Sequence, residues 1–292
     1  MKITFYALIM TFIICLSGCY TDGQAHSDFR KAEELSQEGD IKQAFELYQR
    51  AAEHGDIDAQ FALGGAYLVG DLGIKNDEKA IYWLKKAGEQ GDHYSLLYIA
   101  IIYYEGMAFE GKKDVNQAFK WFIKAAEAGS LKAQLVLGSE YITGEDLGAK
   151  DPKQALHWYK KAAEQGDPEG LFNVGDIYFN GLLGKKNPEQ ALPWYEKAAE
   201  RDNARALVAL GRMYLDGVGV IQDSKHAIQW FSKAAEQDAP VAAHAIGIIY
   251  ATGNGVPRNL YKASFWIKKA INGGFTKSRD AWNSLELWRY QA

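Results

Sequence analysis

Cysteine is scarce in this sequence: two among 292 residues, at positions 15 and 19. If the leader is removed and Cys19 is modified, no pair is left to bridge. The folded chain must then be held by its core alone, even in an oxidising compartment. Blocks of like charge are also missing. The chain has 33 Lys and Arg against 37 Asp and Glu, a formal net charge of -4. That balance argues against a nucleic-acid surface and against an anionic-membrane surface. Catalytic motifs are missing as well. His26, His54, His93, His157, His226 and His244 stand in no H-E-x-x-H pattern and in no Cys/His cluster. Ser36, Ser95, Ser130, Ser139 and Ser224 have no Lys three residues on, and K-T-G and S-D-N are lacking. The glycines terminate helical patterns, whereas a phosphate loop opens a helix after a strand. The expectation is a protein that is not an enzyme and takes no cofactor and no metal.

What is present is a repeat. Gly64, Gly138, Gly175, Gly211 and Gly247, with Ala100 in the second copy, are each followed three residues later by Tyr67, Tyr141, Tyr178, Tyr214, Tyr250 and Tyr103. Three further on stands Gly70, Gly106, Gly144, Gly181, Gly217 or Gly253. The spacing from Gly138 to Gly175 is 37 residues, and from there to Gly211 and on to Gly247 it is 36. A fixed period of this length marks a solenoid of helix pairs. The second half of each unit repeats too. Asn or Asp stands at 40, 76, 114, 151, 187, 223 and 259, Ala four residues later, and then Trp83, Trp121, Trp158, Trp194, Trp230 or Trp266, with Leu47 in the first copy.

Each position has a physical role. The Asn or Asp is an N-cap for the second helix. Pro152 and Pro188 take the first helical position, and Gln154 and Gln190 sit where a capping-box partner belongs. A mid-helix Gly costs about 1 kcal/mol relative to Ala, so its recurrence predicts close approach of a partner helix. The later Gly predicts a left-handed cap ending the first helix. The recurring tyrosines are read as structural, with hydroxyls that reach a partner group or the surface.

At the N-terminus, residues 1–18 read MKITFYALIMTFIICLSG. Lys2 and the apolar run after it are a secretory signal, too short for a comfortable membrane span. The ending LSGC resembles a bacterial lipobox, which implies lipidation of Cys19. Tyr20, rather than Asp, follows that Cys, which favours the periplasmic face of the outer membrane. Residues 19–27 are then the lipidated Cys and a polar tether, and 28–55 an N-terminal capping helix pair. Six fuller units fill 56–272. In residues 273–292, Phe275, Trp282, Leu285 and Trp288 are spaced to form one face of a closing helix. Met107 and Phe109, in the longest inter-helix link, are expected to be exposed.

The copies AQLVLGSEYITG with DPKQALHWYKKAAEQG, and ALVALGRMYLDG with DSKHAIQWFSKAAEQ, resemble Sel1-like repeats, relatives of tetratricopeptide repeats. The departures are Ala100 for Gly, Gly88 for Ala, and Asp202 and Asp238 for a helix-ending Gly. The resemblance implies an all-α fold, a right-handed α/α superhelical solenoid of about seven helix pairs with a closing helix. It also implies a lipid-anchored periplasmic protein-binding scaffold. Other members of the family resemble immunity proteins that neutralise periplasmic toxins, which is the alternative reading. The family's cysteine-rich branch, linked to penicillin binding, has paired cysteines that this chain lacks; an enzyme acting on cell-wall fragments is therefore the least favoured reading. The implied partner is a protein of the cell envelope. Binding positions should be inner-face residues that differ between copies: Phe61, Tyr98, Asn173, Asp176, Arg212 and His244.

Overall fold

The structure, a computed structural model, describes residues 23–70, 75–146 and 150–290. The apolar leader, Cys15 and Cys19 lie outside the described residues. Within them the chain is all-α, with no strand. It divides in sequence after Ser130 into two compact units. The first holds α1 (Gly23–Glu38), α2 (Ile41–Glu53), α3 (Ile57–Val69), α4 (Asp77–Glu89), α5 (His93–Glu105) and α6 (Val115–Glu127). The second holds α7 (Leu131–Thr143), α8 (Pro152–Glu164), α9 (Pro168–Asn180), α10 (Pro188–Ala199), α11 (Ala204–Asp216), α12 (Ser224–Glu236), α13 (Pro240–Thr252), α14 (Leu260–Asn272) and α15 (Ser278–Ser284). In both units each odd-numbered helix through α13 packs along the even-numbered helix that follows it.

The caps follow from the sequence. Asp40, Asn76, Asp114, Asp151, Asn187, Asp223 and Asn259 all accept a backbone N–H of the second helix they begin. Gly70, Gly106, Gly181, Gly217 and Gly253 end the first helices in the left-handed conformation. The expected capping box does not close. The N-cap backbone N–H is already taken: Asp151 and Asn187 donate at 2.9 Å to the carbonyls of Tyr141 and Tyr178. Gln190 turns instead to the Asn187 side-chain amide, which donates to it at 3.2 Å. The same bond from N-cap to tyrosine carbonyl joins the two helices at Asn76–Tyr67, Asp114–Tyr103, Asp223–Tyr214 and Asn259–Tyr250. The recurring Tyr therefore ties the hairpin through its backbone as well as packing through its ring.

The mid-helix glycines lie under the residue that follows each repeat Trp. A methyl group placed on Gly64 would fall 2.6 Å from Leu84 Cγ, on Gly175 2.7 Å from Tyr195 Cδ1, and on Gly211 2.6 Å from Phe231 Cδ1. Tyr195, Phe231 and Leu84 are fully buried. Gly88 is explained in the same way, because a methyl there would meet Leu96 Cδ2 at 2.5 Å.

Asp202 and Asp238 hold φ of 57° and 56°, the left-handed region, where an L side chain is strained by about 1–2 kcal/mol. Replacing either by Gly should stabilise the chain by about 1 kcal/mol. The readout is the urea unfolding midpoint. A fall in the midpoint for both variants would show that the two aspartates hold their turns by other means.

Both ends of the chain differ from expectation. Residues 23–27, read as tether, form the first turn of α1, because Ala25 is buried and extends the apolar face of Phe29 and Ala32. At the C-terminus the closing helix stops at Ser284. Glu286, at φ 50°, breaks it, and a 3-10 turn follows over Leu287–Tyr290. The break rotates the register. Leu287 is fully buried against Ala251, Ala263 and Ile267, and Trp288, expected on the packed face, is 52% exposed.

Candidate partner-binding surfaces

In the first unit, Phe61 on α3 and Tyr98 on α5 meet with ring centroids 5.8 Å apart. Both are half-buried, and burial raises the Tyr98 pKa above the ordinary phenol value. They form one aromatic surface from two successive repeats. Met107 and Phe109 are exposed as expected, with Phe109 stacked on Tyr103 at 5.8 Å.

In the second unit, Asn173 and Asp176 lie on α9, Arg212 on α11 and His244 on α13. Asp176 accepts a hydrogen bond of 2.8 Å from the Tyr195 hydroxyl, so it serves the core of its own helix pair. No ion pair joins it to the exposed Arg212 among the described residues. Ser139 stands beside Tyr159 in the same way, one residue after its repeat Gly. The signal was in the sequence: where Tyr follows the repeat Trp, a polar residue follows the repeat Gly. Asn173 is half-buried. His244 Nδ1 lies 2.9 Å from Ser278 Oγ, and its ring is 5.1 Å from Phe275. Burial, and then the charge of Lys277, push its pKa below the ordinary value. Ser278 is fully buried, so this Ser–His pair holds down the closing segment and offers no accessible nucleophile. Of the six positions, the structure brings Phe61 and Tyr98 together and does not gather the other four.

Two features of the tertiary structure were not foreseen. The first is a cleft of about 640 Å³ in the second unit, lined by Lys160, Glu164, Leu171, Trp194, Lys197 and Arg201 among others. The Lys197 ammonium lies 5.4 Å from the Trp194 ring centroid. Arg201 occupies the place that Gln90 and Gln165 hold in earlier repeats. There the glutamines bridge repeats, Gln90 to Gln60 at 2.9 Å and Gln165 to Gln134 at 2.8 Å. Arg201 leaves that bridge unmade and lines the cleft instead.

The second is the cluster of His26, Asp56 and Asp58, whose ligand-type atoms all lie within 4.8 Å of one another. Asp56 is the buried N-cap of α3, accepting from the Ala59 N–H at 2.8 Å, and its other oxygen is 3.3 Å from His26 Nδ1. The His26–Asp56 contact fastens α1 to the cap of α3 and, with the burial of Ala25, holds the first turn of α1 in place. Among the described residues no helix is long and apolar enough to cross a membrane.

Paired helices of this period, capped and packed glycine-on-ring, define an all-α solenoid, a non-catalytic scaffold class suited to protein–protein interaction. The chain belongs to the Sel1 repeat family, which it matches over residues 19–56, 57–92, 93–130, 131–167, 168–203, 204–238 and 240–275. The first helix pair is thus itself a repeat of the family. A Sel1 repeat protein from Oxalobacter formigenes superposes with a TM-score of 0.72 at 31% identity, covering 88% of this chain and 75% of that one. The c5321 protective antigen of uropathogenic Escherichia coli superposes with a TM-score of 0.66 at 30% identity, covering 90% of this chain and 57% of that one. A chitin synthase regulator of Saccharomyces cerevisiae is 34% identical over 107 residues, a match spanning 36% of this chain and 15% of the regulator.

Proposed function

We propose that this chain is a lipid-anchored scaffold of the bacterial cell envelope, held through Cys19 at the periplasmic face of the outer membrane and binding a protein partner. The observation that carries the reading is LSGC, residues 16–19, whose Cys19 is the first residue of the seven matched family repeats. The first described helix, Gly23–Glu38, lies only a few residues beyond Cys19 in sequence, so the anchor would hold the repeats close to the lipid surface. The similarity to a protective antigen supports a location in the envelope. The partner docks on preorganised side chains, Phe61 and Tyr98 in one unit and the Trp194–Arg201 cleft in the other. Their rigidity limits the entropy lost on capture.

The anchor is tested by metabolic labelling with a palmitate analogue and fractionation. The native chain should be labelled and membrane-bound, and the Cys19→Ser variant should be neither. Full membrane retention of an unlabelled variant would overturn the anchor. The scaffold is tested by cross-linking in native envelopes. A reproducible protein partner should be lost on Tyr98→Ser or Arg201→Glu. Equal recovery from both variants and the native chain would refute these surfaces.

A further inference from the structure

The last second helix departs from all earlier ones on one face. Tyr261, Phe265, Lys268 and Asn272 share a stripe of α14 at i, i+4, i+7 and i+11. When the repeats are aligned on Trp266, Tyr261 stands where the six earlier second helices carry Lys, Glu or Asn. Phe265 stands where they carry Glu, Tyr, Lys, His, Pro or Gln, and Asn272 where all six end in Glu. Two aromatics stand together here, where the earlier helices carry one at most, Tyr82 at the Phe265 place, and an acid kept everywhere else has gone.

The structure exposes both rings of this stripe. Tyr261 is 65% and Phe265 63% exposed. The opposite side of α14, with Ala263, Ile267 and Ala270, is fully buried. Leu287 covers that buried side, while the next residue, Trp288, points outward. Tyr290 reaches Tyr261 edge-on at 5.5 Å, placing the terminal turn beside the aromatic stripe. Charge is also concentrated here. Residues 258–290 hold seven Lys or Arg against two acids, in a chain whose net charge is -4. The Arg289 guanidinium lies 5.0 Å from the Trp288 ring centroid and is ion-paired with Glu286 at 2.7 Å, which leaves the lysines as the source of the positive charge.

Rings with polar edges, set beside cations on apolar stems, match the boundary between lipid headgroups and acyl chains. Excess Lys and Arg match an acidic bilayer surface. We propose that the C-terminal end docks on an anionic phospholipid bilayer, seating Tyr261, Phe265 and Trp288 among the headgroups with Lys262 and Lys268 toward the phosphates. The patch is an outward helix face and a turn, separate from the cleft lined by Trp194, so it suits a flat surface rather than an inserted peptide. The whole-chain charge, which argued against such a surface, averages this end away. The inference does not rest on the Cys19 anchor.

The test uses the full chain carrying Cys19→Ser, co-sedimented with vesicles of phosphatidylglycerol and phosphatidylcholine or of phosphatidylcholine alone. Preferential binding to the anionic vesicles is expected. It should fall at least about tenfold with Tyr261→Ser and Phe265→Ser together. It should lose most of its salt dependence with Lys262→Glu and Lys268→Glu. Circular dichroism melts confirm that each variant is folded. Binding equal for both vesicle types and unchanged in the aromatic variant belongs to the apolar leader and overturns the proposal. No vesicle binding, with capture of an acidic protein instead, overturns it as well.

Discussion

Gly211→Leu should destabilise this chain by about 3 kcal/mol, despite the gain in helix propensity of about 1 kcal/mol. The methyl position alone would sit 2.6 Å from two carbons of the Phe231 ring. That ring is fully buried among Leu207, Leu210, Ala227 and Ile246, so it has nowhere to turn. Overpacking of this kind moves backbone as well as side chains. A double-mutant cycle separates the clash from a general loss of glycine. Phe231→Ala alone removes a buried ring and should cost about 3–5 kcal/mol. The two changes together should cost less than their sum by more than about 1 kcal/mol, because Leu occupies space the ring has vacated. Urea midpoints of the four chains decide the matter. A neutral Gly211→Leu, or strictly additive costs, would mean that the repeat glycine does not serve helix contact.

Alkali should unfold the protein from about pH 10 upward, ahead of any chain whose tyrosines are exposed. Tyr48 and Tyr159 are pushed up to about 12 by burial. Tyr195 is raised further, first by burial, then by the Asp176 charge and its hydrogen bond. The sign follows from proton binding. Above the unfolded value of about 10 the unfolded chain gives up these protons while the folded chain keeps them, so stability falls as pH rises. For Tyr48 and Tyr159 the fall ends near pH 12. Each buried tyrosine contributes at most about 1.4 kcal/mol per pH unit in this window. Together they are comparable with a domain's total stability of about 5–15 kcal/mol. Tyr195→Phe should lower stability at neutral pH by about 1 kcal/mol through the lost hydrogen bond. Above pH 10 it should also flatten the stability–pH slope, which lysine deprotonation, common to both chains, cannot do. Identical slopes for the variant and the native chain would remove Tyr195 from the account.

Much of the local architecture was legible beforehand because it depends on near neighbours in sequence. An Asp three residues ahead of a helical N–H caps it wherever the pair occurs, and a Gly in the left-handed region ends a helix in every copy. The capping box failed because its acceptor had to compete with the Tyr141 and Tyr178 carbonyls, which arrive from another helix. Asp176 read as an inner-face binding position, because its own neighbours do not show that Tyr195, nineteen residues on, reaches back to it; only comparison of the copies, Ser139 with Tyr159 and Asp176 with Tyr195, carries that signal. His244 was taken for a groove residue, and the chain end folds over it. The closing segment misled in turn: helical spacing put Trp288 on the packed face, and one residue at φ 50° turned Leu287 in and Trp288 out.

The sequence by itself determined the repeat, its period, the caps, the family and the all-α class, because each rests on residue types recurring at fixed short spacing. Its charge balance described the chain as a whole and missed the basic, aromatic end. Only the tertiary structure decided which ring covers each glycine and which polar side chains are spent inside the core. It also decided that Phe61 meets Tyr98 while Asp176 and His244 turn to other partners. The physical reason is that these contacts join helices whose residues are far apart in the chain. Their pairing is settled by packing, which a one-dimensional pattern does not contain.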